Sequence, residues 1–154
     1  MNRVIEGMRP DDWPAVRTIY EDRDGTLWFG TNTGGLNRFD PATRSFVHFR
    51  HESSDPHSLS HDSVYAVLRD RQGALWVGTQ RGLNRLDPAS RKFTAFRENE
   101  GFVSYGIYSI LEDQKGNVWL TTDKAGVWCY DGRTFRNFTT KKDGLVNDSV
   151  FSVL

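Results

Sequence analysis

Apolar residues along this chain fall in short blocks, and the blocks recur. Val16-Arg-Thr-Ile-Tyr-Glu21, Val64-Tyr-Ala-Val-Leu-Arg69 and Ile107-Tyr-Ser-Ile-Leu-Glu112 are almost continuously apolar and rich in β-branched residues. Such runs predict strands buried on both faces. Each has a small residue at its third place, Thr18, Ala66 or Ser109. After each block comes a turn signal, Asp-x-x-Gly, with Asp22 and Gly25, Asp70 and Gly73, or Asp113 and Gly116. The glycine is free to take the positive φ of a tight hairpin, and the aspartate can accept from local backbone N–H groups. A second strand with a tryptophan follows, at Leu27–Thr31, Leu75–Thr79 and Val118–Thr122. Turns at Asn32–Gly35, Gln80–Gly82 and Asp123–Gly126 lead to third strands ending at Asp40, Asp87 and Asp131. Ser45–Phe49, Lys92–Phe96 and Phe135–Phe138 read as fourth, more polar outer strands.

Aligning Trp28, Trp76 and Trp119 spaces the copies by 48 and then 43 residues. Units of four antiparallel strands at that period are the blades of a β-propeller. The fold expected is all-β, with three four-stranded antiparallel blades, the first strand of a fourth, and an incomplete ring. The blades span residues 16–63, 64–106 and 107–149; residues 150–154 open a fourth, and residues 1–15 lie outside the repeat. Met8–Val16 resembles the opening of acetyl-CoA-dependent N-acetyltransferases, but no acetyl-CoA loop follows it. The recurrent tryptophans are expected to pack between blades, as large aromatics mainly supply core.

The copies carry a family likeness. Asp-x-x-Gly-x-Leu-Trp-Val-Gly-Thr followed by Gly-Leu-Asn-Arg-Phe/Leu-Asp-Pro resembles the two-component regulator propeller repeat. The third copy departs from it at Thr121 and at Val127-Trp128-Cys129. The resemblance implies a fragment of the extracytoplasmic sensor region of a bacterial hybrid histidine kinase or diguanylate cyclase, binding a small ligand and signalling to an output domain. Some members of that family sense glycans. Gly116-Asn-Val-Trp-Leu-Thr-Thr122 also resembles streptogramin-lyase repeats, which implies a propeller enzyme with a His/Glu pair and a metal near the ring centre. A purely protein-binding propeller is a third reading.

Composition narrows these choices. Twenty basic residues balance twenty acidic ones, so neither a nucleic-acid nor a membrane-surface field is built in. No segment approaches the roughly 18 apolar residues of a membrane span. The N-terminus lacks the basic and apolar regions of a secretory signal, so the chain as it stands would remain cytoplasmic. The single cysteine, Cys129, excludes an internal disulfide and reads as a buried, inert thiol.

No catalytic motif is recognisable, and no cofactor is expected. Asp22-Arg-Asp24-Gly25 resembles the start of a calcium loop, but Gln72 and Lys115 replace Asp24 in the other copies. His51, His57 and His61 crowd one loop, where Pro56 opposes the helix that would make a metal pair of them. No metal site is expected. The candidate ligand face combines Asn32, Gln80, Arg81, Asp123 and Lys124 in the second-to-third-strand turns with His57, Asn99, Tyr105 and Asn147 in the inter-blade loops. These two sets are expected to share one face of the propeller. Polar and aromatic groups together suit an oligosaccharide. Open blade faces predict self-association.

Overall fold

A computed structural model describes residues 15–96 and 106–152. Twelve strands form three separate four-stranded antiparallel sheets, and each sheet is a blade. Blade 1 holds β1 (Val16–Glu21), β2 (Leu27–Thr31), β3 (Leu36–Asp40) and β4 (Ser45–Phe49). Blade 2 holds β5 (Val64–Arg69), β6 (Leu75–Thr79), β7 (Gly82–Leu86) and β8 (Phe93–Phe96), its last strand starting one residue later than expected. Blade 3 holds β9 (Ile107–Glu112), β10 (Val118–Thr122), β11 (Val127–Tyr130) and β12 (Phe135–Phe138). A single helical turn, α1 (Thr140–Asp143), interrupts the loop after β12. It is capped by Thr139 and ended by Gly144 in the left-handed region. The first strands β1, β5 and β9 lie side by side, so they are the inner strands.

The turns follow from their residues. Gly25, Gly73 and Gly116 have φ of 80°, 92° and 87°, and each donates its N–H to the carbonyl of the aspartate three places earlier. At the opposite end, Thr31, Thr79 and Thr122 each donate a hydroxyl to the carbonyl of the glycine that closes the β2–β3, β6–β7 or β10–β11 turn, at 2.8–3.0 Å. Asp40, Asp87 and Asp131 accept main-chain N–H groups of the turns that follow β3, β7 and β11, which holds their carboxyls below the usual range.

Two apolar layers join the blades. Between blades 1 and 2, Trp28, Leu36 and Phe49 meet Val67, Leu75, Val77, Leu86 and Phe93, with Leu59 from the connecting loop. Between blades 2 and 3, Trp76, Leu83 and Phe96 meet Val118, Leu120, Trp128, Ile110 and Phe135. Each buried side chain of this size contributes about 1.5–3 kcal/mol. Close approach is enforced at Gly30 and Gly78. A Cβ on Gly30 would lie 2.7 Å from Val64 Cγ1, and one on Gly78 would lie 2.8 Å from the Ile107 carbonyl oxygen.

Four expectations need correction. Burial of the first strands on both faces fails at β1, where Val16 and Ile19 are 53% and 65% exposed, because no described blade covers that side. Trp28 and Trp76 are buried between blades, but Trp119 is half-buried. It stacks on Phe138 at 5.4 Å beside a concavity of about 310 Å³, with Val127 and Leu145 among its lining, on the uncovered side of blade 3. Val150–Ser152 carry no strand. The Val150 N–H reaches the Thr122 carbonyl at 3.0 Å, but among the described residues no further strand pairs with the segment. Cys129 is half-buried, and burial pushes its thiol up.

Candidate functional site

The inner strands share an irregularity. Val16 pairs with Thr31 and Thr18 with Gly30, Val64 with Thr79 and Ala66 with Gly78, Ile107 with Thr122 and Ser109 with Thr121. The residue skipped in each ladder is Arg17, Tyr65 or Tyr108. A bulge of this kind leaves a residue unpaired and re-aims its side chain. The three side chains line one concavity of about 350 Å³ along the inner strands. Tyr65 and Tyr108 stack nearly parallel, with ring centroids 4.9 Å apart and planes 8° apart. Phe151, the next residue in the series, meets Tyr108 edge-on at 5.2 Å. The result is an arc of one guanidinium and three rings at the inner rim.

The bulges lie at the end of the inner strands that adjoins the β2–β3, β6–β7 and β10–β11 turns, so turn residues flank the arc. Asn32 accepts from Arg17 Nη2 through Oδ1 at 3.3 Å, and its carbonyl accepts from the Ser63 hydroxyl. Asp123 accepts from Ser149 Oγ at 3.1 Å. Burial first, then Tyr65 and Asp123, push the Tyr108 phenol up against the opposing pull of Arg17. The rim therefore offers two neutral hydroxyls, a cation, an amide, a carboxylate and aromatic faces.

The other residues singled out in the sequence are more dispersed. Gln80 and Arg81 are exposed on the same end, where the Gln80 N–H donates to the Ser63 carbonyl at 3.0 Å. Lys124 is exposed with φ of 75°, and Asn147 Oδ1 accepts from the Ser149 N–H at 2.8 Å. His57 lies at the opposite end: its carbonyl accepts from Phe93 at the start of β8, level with the β5–β6 turn. The Arg50–Ser63 connection thus runs down the outside of the blades and back, and does not stay on the face it shares with the turns at its ends. His51 and His61 bond that loop's own backbone, and burial lowers the His61 pKa. Asn99 and Tyr105 lie outside the described residues. Among the described residues no group of three His, Cys, Asp or Glu is placed to hold a metal ion.

Comparison with known proteins gives this geometry its family. The two component regulator propeller repeat matches residues 13–33, 58–81 and 101–124. Each blade of the chain thus carries one match to that repeat. Histidine kinase P4 of Formosa agariphila is 29% identical over 146 residues, which is 91% of this chain and 11% of the relative. Among solved structures, the extracellular domain assigned to the hybrid two component system BT3049 of B. thetaiotaomicron superposes with a TM-score of 0.72 at 23% identity. That match covers 84% of this chain and 19% of the other. The extracellular domain assigned to the one component system BT4673 of the same organism gives 0.69 at 25% identity, over 82% and 19%. Virginiamycin B lyase from Staphylococcus aureus gives 0.66 at 13% identity over 88% and 45%, a likeness of fold alone. The chain thus spans about a tenth of the curated relative and a fifth of these extracellular domains.

The signal that would have exposed the inner arc was present in the repeat. Arg17, Tyr65, Tyr108 and Phe151 occupy one aligned column, next to the valine or isoleucine that starts each block. Period-two alternation assigns that column to a blade face, and only the bulge turns it toward the rim.

Proposed function

We propose that this chain is part of the sensing region of an extracytoplasmic signalling receptor, and that its regulator propeller repeats bind a small oligosaccharide at the inner rim, without turnover. The observation that carries this reading is the arc of Arg17, Tyr65 and Tyr108, released from their ladders by three equivalent bulges and lining one concavity. Ring faces pack the C–H faces of pyranoses, while hydroxyl, amide and carboxylate groups pair with sugar hydroxyls. The extracellular relatives favour a location outside the cytoplasm, with an output domain elsewhere in the receptor.

The test is titration of the full chain with a panel of neutral and acidic oligosaccharides, followed by calorimetry and by tyrosine fluorescence. We expect saturable binding to at least one glycan class, lost in Tyr65→Ala. Silence across the whole panel, or binding that Tyr65→Ala leaves intact, overturns the proposal.

A further inference from the structure

The rim is not uniform. Blades 2 and 3 present Tyr65 and Tyr108 at the bulged place and Phe151 continues the series, but blade 1 presents Arg17. Its guanidinium lines the concavity with the two phenols. The partner recorded for it is Asn32, a neutral amide, at a long 3.3 Å. Among the described residues no carboxylate lies within ion-pair distance of it. Asp123, whose charge acts on Tyr108, is engaged by Ser149. By contrast, Arg69 pairs with Asp22, and Arg71 with Glu112.

We infer that the rim selects a ligand bearing an anionic substituent next to an apolar ring face, and that the ligand is an acidic oligosaccharide carrying a uronate carboxylate. A guanidinium presents a planar fork of donors that matches a carboxylate in bidentate fashion. The stacked tyrosine pair beside it takes the C–H face of the same pyranose ring. A cation without a carboxylate partner among the described residues keeps its charge available to the ligand. A neutral glycan would use the rings and leave the fork solvated. This inference rests on the reading of the rim as the oligosaccharide site, and supplies the ligand's charge.

The experiment compares a tetragalacturonate, a neutral galactotetraose and a sulfated galactotetraose on the full chain at low and high salt, with Arg17→Gln, Arg17→Lys and Tyr65→Ala variants. The tetragalacturonate is expected to bind at least about tenfold more tightly than the neutral sugar at low salt. That advantage should shrink with salt, vanish in Arg17→Gln and survive in part in Arg17→Lys. Tyr65→Ala should weaken both sugars. If neutral and acidic sugars bind equally, or Arg17→Gln keeps the preference, this inference is overturned while the oligosaccharide site stands. Preference for the sulfated sugar over the uronate overturns the carboxylate assignment. Absence of binding by all three overturns the inference and, if it extends to the wider panel, the site as well. Circular dichroism of Arg17→Gln checks that a lost preference is not a lost fold.

Discussion

The Asp70 carboxylate accepts the Trp76 indole N–H at 2.8 Å, while its other oxygen accepts the main-chain N–H of Ala74 at 2.8 Å. Asp113 does the same for Trp119 at 2.9 Å, and adds the N–H groups of Lys115 and Asn117. One aspartate thus fixes the hairpin turn and orients the tryptophan of its blade, Trp76 in the layer between blades 2 and 3 and Trp119 on the uncovered side of blade 3. Blade 1 breaks the rule. Asp22 gives one oxygen to Arg69 of the next blade, and Trp28 Nε1 is buried without a partner. Arg69 lies over the Trp28 ring instead, 6.0 Å from its centroid.

Replacing Asp70 by alanine removes two acceptors from a buried place and strands the Trp76 indole N–H. The expected cost is roughly 2–4 kcal/mol of unfolding free energy. Urea unfolding followed by tryptophan fluorescence measures it. A loss below about half a kcal/mol would show that the aspartate is only a turn residue.

Asp113 connects the same device to pH. Hydrogen bonds from Trp119 and Asn117 stabilise the ionised form and hold the carboxyl far below the ordinary aspartate range. With the folded pKa depressed, the contribution is fully present above the unfolded value, about 3.9. It declines as the pH falls below that value and is lost once the pH passes the folded pKa. Wild type should therefore melt above Asp113→Asn at pH 7, and the gap should narrow steadily from pH 4 to pH 2. An equal gap at all pH values would mean that charge has no part in it.

Much of this architecture was legible in the sequence, for a stated reason. Strand, turn and blade boundaries follow from motifs that recur three times, and each copy checks the others. The role of Asp22, Asp70 and Asp113 as turn acceptors was legible, but their grip on the tryptophans was not. A six-residue separation brings the pair together only after the hairpin has formed. The inner rim was hidden by the bulges, which shift Arg17, Tyr65 and Tyr108 out of the alternation that sequence reading assumes. His57 was assigned to the wrong end because loop endpoints, which lie on one face, do not reveal how far the chain descends between them.

Gly78 tests the closeness of the blades. A methyl group there meets the Ile107 backbone and side chain at 2.8 Å, and both belong to the next blade. Gly78→Ala should cost about 1–3 kcal/mol through overpacking. Gly30→Ala should behave alike against Val64. Heat unfolding decides the matter, and unchanged melting of both variants would show that the blades can slide apart at no cost.

The outer side of blade 1 carries the final prediction. Ile19, Phe29, Phe39 and Phe46 share that side through the ladder register, and Phe46 and Ile19 are 54% and 65% exposed. Their counterparts in blade 2, Phe93 and Val67, are 2% and 8% exposed because the Trp28, Leu36 and Phe49 surface of blade 1 covers them. The same chemistry is thus sealed at one interface and bare at the other. Bare apolar sheet faces associate, so the full chain should form concentration-dependent oligomers. Exchanging Ile19 and Phe46 for aspartate should shift the population to monomer, with the β-sheet circular dichroism of the blades retained. Multi-angle light scattering across a hundredfold range of concentration reads both states. A monodisperse monomer at every concentration would mean that this face stays solvated despite its composition.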